Sequence, residues 1–260
     1  MNQRVPLLVY HHVYQDDHPD LALPPGGRAS GIIGEADFRR QMSLLASERW
    51  TVVSTSQVVD WLEQDAPLPQ RSVALHFDNG WLDTYTVALP ILREFGLSAI
   101  CYVISDPTEA ASTGRAASVR TTTEGAVAKP FITWDHAAEL LDAGWEIGAH
   151  SATHPKLAEA HDQQGDGAVL AEVERSNALY AQRLGFVPAH FAYPGGSRNV
   201  HTDALLAPYY RSLRRWAYTD PPQWTITNRG TSPQALECQN VDATVSFADF
   251  RRIFTEAAGD

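Results

Sequence analysis

The sequence predicts an α/β fold, a single-domain distorted (β/α) barrel over residues 1–260 with seven or eight mostly parallel strands. Two observations carry that expectation. Short apolar runs alternate with helix-periodic stretches along the chain, with no break long enough to mark a second domain and no internal repeat. Polar residues gather at the carboxyl ends of those runs, which is where βα folds place their active sites.

Val5 to Tyr10 reads as the first strand, ending in His11 and His12. A polar loop containing Gly and Pro continues to about Gly34. Phe38, Met42, Leu44 and Leu45 then recur at helical spacing. Thr51 to Val53 reads as a short strand, and Ser56 to Leu62 as a helix with Val58, Val59 and Leu62 inward. In the central stretch Ser72–Asp83, Val73, Ala74, Leu75 and Phe77 make a buried strand, and Leu82, Tyr85, Leu89 and Leu92 make the following helix. Asn79-Gly80 is also a hairpin signal, but the residues after it are helix-periodic. Pro90 cannot donate to the turn before it, so it kinks or restarts that helix.

Ser98 to Ile104 is another apolar strand. Residues 105–130 are rich in Ala, Thr and Ser without a period and read as a long exposed loop. Thr133 reads as the N-cap of a helix to Leu141, with Gly144 as its C′ residue. Trp145 to Ala149 is a strand leading into His150. Glu172 to Leu184 is a helix ended by Gly185, and Phe191 to Tyr193 a strand entering Pro194-Gly195-Gly196. In the last third the clear signal is Ser246, as the cap of a closing helix through Phe254.

Hydrophobic content of 44% and charged content of 20% suit a soluble globular chain with ample core material. The net charge of -11 argues against nucleic acid and anionic membranes as partners. It leaves neutral sugars and cationic products open. Two cysteines, Cys101 and Cys238, are too few for a disulfide framework, and Cys101 reads as a small buried hydrophobe. No run approaches the roughly 18 apolar residues of a membrane span. The N-terminus has neither the apolar region nor the cleavage site of an export signal, so a cytoplasmic location is expected. A chain trimmed of such a signal would read the same.

Three strand ends carry residues able to do chemistry. Asp78 and Asn79 follow the central strand, where a lone acid is more often a helix cap. His150-Ser-Ala-Thr-His154 spaces two imidazoles four apart, so both reach one metal ion if the turn is helical. With ten histidines in the chain a close pair is weak by itself. Its place after a strand, on the edge of Asp78, strengthens it. Phe191-Ala-Tyr-Pro-Gly-Gly196 ends a third strand. Its glycines permit close approach of a substrate, and exposed N–H groups there can stabilise an oxyanion. Alone it reads as a tight turn.

These segments, in this order, resemble the polysaccharide deacetylase family (carbohydrate esterase family four), nearest its biofilm poly-N-acetylglucosamine deacetylase branch. The carrying pieces are Leu-Leu-Val-Tyr-His-His at 7–12, Phe38-Arg-Arg-Gln-Met-Ser-Leu-Leu, His76-Phe-Asp-Asn-Gly-Trp and Ala88-Leu-Pro-Ile-Leu. Ile132-Thr-Trp, the stretch from Gly144 through His154, and Phe191-Ala-Tyr-Pro-Gly-Gly complete them. The resemblance implies a distorted barrel and metal-assisted hydrolysis of an acetyl group, here an N-acetyl group on an amino sugar or oligosaccharide. It implies Asp78 as the base acting on a metal-activated water, and Asn79, His150 and His154 as metal ligands. Tyr193 and Gly195 fall at the substrate and oxyanion side. The implied cofactor is a divalent cation, Zn²⁺ first, with Co²⁺ or Ni²⁺ as alternatives.

Three departures shape the expectation. Position 79 is usually a second Asp; Asn79 is neutral, which weakens cation binding. The substitution is compatible with a carbohydrate-binding pseudoenzyme, and Asn79-Gly80 is also a deamidation-prone pair that can regenerate Asp. No histidine follows His201, so the acid implied by the biofilm branch is His11, with His12 the weaker candidate because it faces the other way. The family's usual arginine before the Pro-Gly turn is replaced by Ala192, so Asp78 needs another partner. His76, on the strand face of Asp78, is expected to pack. A same-fold hydrolase of a non-sugar amide is the remaining alternative.

Overall fold

Eight parallel strands curl into one sheet in this computed structural model, which describes residues 3–22, 31–122, 124–216 and 225–258. In chain order they are β1 (Leu7–Tyr10), β2 (Thr51–Val52), β3 (Ser72–Asn79), β4 (Ile100–Val103), β5 (Glu146–Ala149), β6 (His190–Ala192), β7 (Ser212–Arg214) and β8 (Gln239–Asn240). Their spatial order is β7-β6-β5-β4-β3-β1-β8, with β2 paired to the start of β3. A parallel bridge between Arg214 and Leu236 brings the two ends of this curled sheet towards each other. The distorted barrel expected from the sequence is therefore present, as a half-barrel that closes through a single bridge.

β3 is the axis because all eight of its residues are buried. Val73, Leu75 and Phe77 pack outward into the main core. His76 and Asp78 alternate with them and face the barrel interior. The helices around the sheet are α1 (Glu35–Ser47), α2 (Thr55–Gln64), α3 (Leu89–Glu94), α4 (Ser105–Ser112), α5 (Trp134–Asp142), α6 (Leu157–Gln164), α7 (Asp166–Leu184), α8 (Val200–Leu206) and α9 (Phe247–Ala258). Thr133 caps α5 with a reciprocal box to His136, as expected. Ser246 Oγ accepts the Asp249 N–H at the start of α9. Pro90 sits at the second residue of α3, directly after a π-helical stretch at Thr84–Ala88, so the restart predicted there occurs.

Residues 105–130 are not a long exposed loop. They form α4, then an antiparallel hairpin of Val119–Thr121 with Gly125–Val127. Val119 packs with Trp81, Ile104 and Phe131 in a separate apolar cluster beneath it. Three-residue strands are too short to display a period of two, and α4 is a mixture of Ala with polar residues. Both escape pattern reading. The same limit hid α6, β7 and β8. The loop expected up to Gly34 contains a short strand, Ile32–Gly34, paired in parallel with His12–Tyr14.

Candidate active site

Asp78 is the penultimate residue of β3 and is 2% exposed. Burial alone would push its carboxyl up, but the charges of Arg214, His150 and His11 outweigh it and hold the group down at about 2. Arg214, the last residue of β7, is fully buried, and its Nη2 donates to both oxygens of Asp78 at 2.5 and 2.6 Å. This is the partner the sequence left unassigned. It comes from a different strand than the family pattern suggested, and sequence reading missed it. The signal was present as the alternation in Ser212-Leu-Arg-Arg, where Arg214 turns inward and Arg215 pairs outside with Glu237.

Asn79 and Gly80 both adopt left-handed backbone, at φ +74 and +75. Asn tolerates that region better than most side chains, so the chain turns sharply and presents the amide beside Asp78. Asn79 Oδ1 is buried without a hydrogen-bond partner among the described residues. A buried, unsatisfied acceptor is costly unless something donates to it or is coordinated by it.

His150 follows β5, and its Nδ1 donates to the Ala192 carbonyl at 2.7 Å. His154 Nδ1 donates to the Arg120 carbonyl, on the hairpin, at 2.9 Å. Each bond fixes a tautomer whose Nε2 keeps its lone pair, the arrangement that orients metal-binding imidazoles. Burial lowers His150 to about 3 and His154 to about 4, so both rings are neutral at neutral pH. The rings lie 4.9 Å apart between centroids. They are not brought together by a helical turn, as the spacing suggested. Ser151 and His154 are both left-handed, and Ser151 Oγ accepts the His154 N–H, which folds the segment into a tight turn.

His11 Nε2 stands 3.9 Å from Asp78 Oδ2. Burial lowers its pKa against the upward pull of Asp78. His12 faces away, as strand alternation required. Its Nδ1 donates to Asp83 at 2.7 Å and its ring stacks on Trp81. Burial pulls His12 down, but the bonds to Asp83 and Glu124 more than compensate and raise its pKa. His76 is fully buried below Asp78, with Thr55 as its neighbour, and it packs as expected.

His11, Asp78, Asn79, His150, His154 and Gly195 line one pocket with Trp216 and the hairpin residues Thr121 and Thr122. The space among them is about 20 Å³, room for about one water. Gly195 is at φ +56, and a Cβ there would lie 2.5 Å from Thr122 Oγ1. A side chain at 195 would therefore collide with Thr122, a neighbour in the pocket lining. Tyr193 does not line it. Strand alternation turns its ring outward against Phe191, and its hydroxyl donates to Asp203. The substrate-side role expected for Tyr193 is thus corrected. A larger groove of about 610 Å³ shares Thr121, Thr122, His154 and Gly195 with the pocket.

Among the described residues no group of three or more His, Cys, Asp or Glu side chains is arranged for a metal ion. The donor residues that line the pocket are mixed: His150 and His154, whose Nδ1 atoms are already engaged, and Asn79, whose Oδ1 has no partner among the described residues. Two neutral nitrogens and one oxygen, oriented from behind, fit a borderline divalent cation.

A buried carboxylate paired with an arginine thus stands beside a histidine pair at the mouth of a curled parallel barrel. The polysaccharide deacetylase family model matches residues 65–209, more than half of the chain, and the chain belongs to that family. It is 21% identical over 199 residues to the YxkH protein of Bacillus subtilis (strain 168), itself named a polysaccharide deacetylase only provisionally. That match covers 76% of this chain and 59% of YxkH, so the chain spans less than two thirds of this relative. The Streptococcus pyogenes deacetylase PplD, solved in complex with acetate, shares the fold at a TM-score of 0.77 and 20% identity, covering 98% of this chain and 99% of that one. IcaB from Ammonifex degensii does so at 0.71 and 20%, covering 99% and 98%.

Proposed function

We propose that this protein hydrolyses the N-acetyl group of an amino sugar or oligosaccharide, with Asp78 as base and His11 as the acid at the leaving nitrogen. One observation supports the reading above the others. Asp78, with its ionised carboxylate, His150 and His154, with their Nδ1 atoms engaged elsewhere, and Asn79, with its unpartnered oxygen, line one small space. A Zn²⁺, Co²⁺ or Ni²⁺ ion held by Asn79, His150 and His154 would supply Lewis acidity, polarising the amide carbonyl and lowering the pKa of water towards about 7.

Asp78, kept ionised by Arg214, stands ready to accept a proton from water at any ordinary working pH. A carboxylate this acidic is a weak base, so the water it serves must itself be acidified. Gly195 leaves room for the acetyl carbonyl, and its backbone N–H is the donor placed to meet the developing oxyanion. His11, beside Asp78, can receive the abstracted proton and return it to the departing amine, as general acid–base catalysis requires.

The neutral Asn79 also supports a second reading, a carbohydrate-binding protein whose cation site has lost a charge. A panel of N-acetylglucosamine oligomers and small acylated amides, with Zn²⁺, Co²⁺ or Ni²⁺ added, separates the readings. Acetate released from the sugars and abolished by His150→Ala supports the deacetylase. Saturable oligosaccharide binding with no acetate and no bound metal supports the binding protein. Release from the non-sugar amides alone assigns a different substrate.

A further inference from the structure

Arg214 can reach Asp78 only because of what lies between them on the barrel's inner surface. Asp78, Tyr102 and Gly148 are in register on β3, β4 and β5, and Ala192 is in register with Arg214 on β6 and β7. Ala149 pairs with Phe191, so Ala192 stands two residues further along its strand than the partner of Gly148 but on the same face, and all five positions point into the barrel. The inward positions on the two intervening strands that lie beside the Tyr102 ring are Gly148 and Ala192, the latter clustered with Tyr102. The Tyr102 ring lies over Gly148, where an added Cβ would sit 2.4 Å from its Cδ1. The Arg214 guanidinium crosses above that ring, with Cζ 4.9 Å from the centroid, and ends on Asp78. Tyr102 and Arg214 are both fully buried.

The hydroxyl of Tyr102 has no hydrogen-bond partner in the described residues, and neither has Arg214 Nε. The ring, then, is the part of Tyr102 that meets the arginine. A desolvated guanidinium over an aromatic face is attracted by the ring quadrupole. Beyond Asp78, the polar neighbour of the guanidinium is Cys238 Sγ at 3.5 Å, a weak acceptor.

We propose that Tyr102 is a positioning residue for the hydrolysis proposed above: its π face, exposed by Gly148 and Ala192, fixes Arg214 at the height from which one nitrogen serves both oxygens of Asp78. It touches neither substrate nor cation, and it acts through Arg214. Because Ala192 occupies the place of the family's usual arginine, this chain needs a device to aim an arginine from a more distant strand.

The test replaces position 102 by Leu, Phe, and Phe bearing one, two or three ring fluorines, which keep the shape while weakening the π face. Tyr102→Leu lowers kcat for acetate release about ten-fold with little change in KM, and Tyr102→Phe restores most of it. The fluorinated series then falls stepwise in kcat while the melting temperature stays level or rises. Activity flat across that series overturns the proposal, because a residue that only fills space would not respond to ring electronics. A readout independent of activity covers the case in which the deacetylase reading fails. Denaturant unfolding of Tyr102→Leu, Arg214→Met and the double variant gives non-additive losses if the two side chains are coupled, and strict additivity overturns the contact itself.

Discussion

Arg214 donates from a single nitrogen to both carboxylate oxygens of Asp78, at 2.5 and 2.6 Å, inside a barrel where neither residue meets solvent appreciably. The pair joins β3 to β7 across the curled sheet, and it sets the charge state of the carboxylate proposed above as the base.

Arg214→Met removes the cation and leaves a buried carboxylate. Breaking a buried pair from one side typically costs about 3–5 kcal/mol, which denaturant unfolding at neutral pH measures. The pairing holds Asp78 at about 2, against 3.8 ordinarily. Its contribution is present above the ordinary value and lost as pH falls through about 2. In the variant burial acts unopposed by Arg214, the carboxyl titrates higher, and the loss of stability begins at a higher pH.

His150 and His154 predict the opposite dependence to an ion-paired histidine. Their folded pKa values, about 3 and about 4, lie below the ordinary 6.5. Between those limits the unfolded chain binds more protons, so stability falls as pH drops from 6.5, by up to ~1.4 kcal/mol per pH unit for each ring. Thermal melts from pH 7 to 4 should show that slope, and His150→Ala should flatten it.

His12 runs the other way. Asp83 and Glu124 raise its pKa above 6.5, so its contribution is complete below 6.5 and lost as pH rises through the raised value. Glu124 sits on the hairpin whose Arg120 carbonyl orients His154. The expected result for His12→Gln is a lower melting temperature near pH 6 and a flatter decline towards pH 9. An unchanged alkaline slope would remove His12 as its source.

The fold was largely legible in the chain because buried parallel strands read as apolar runs, and β1, β3, β4, β5 and β6 are such runs. Asp78, His150 and His154 stood out because they lie at or just beyond the carboxyl ends of two of them. Arg214 was not, since its strand is three residues long and its partner lies 136 positions earlier in the sequence. Local patterning cannot carry information across that separation. Thr121 and Thr122 were missed for a related reason: the hairpin that brings them to the pocket is held by Trp81 and Phe131 beneath it, not by any period of its own. Tyr193 was assigned to the substrate side by motif position, and the strand's alternation turned it outward.

Asn79→Asp places a carboxylate at the proposed cation site. The expected outcome is at least about ten-fold tighter Zn²⁺ binding, equivalent to ~1.4 kcal/mol, read by calorimetry on chelator-stripped protein. Peptide mass analysis of stored wild-type protein checks whether Asn79 deamidates to the same species. Equal affinity in the two proteins would show that position 79 is not a ligand.

The most direct measurement is acetate release from N-acetylglucosamine oligomers as chelator-stripped protein is titrated with Zn²⁺, Co²⁺ or Ni²⁺. The account predicts activity that rises to saturation at one ion per chain and is absent in both His150→Ala and Asp78→Asn. Release that ignores the cation, or that survives Asp78→Asn unchanged, would contradict it.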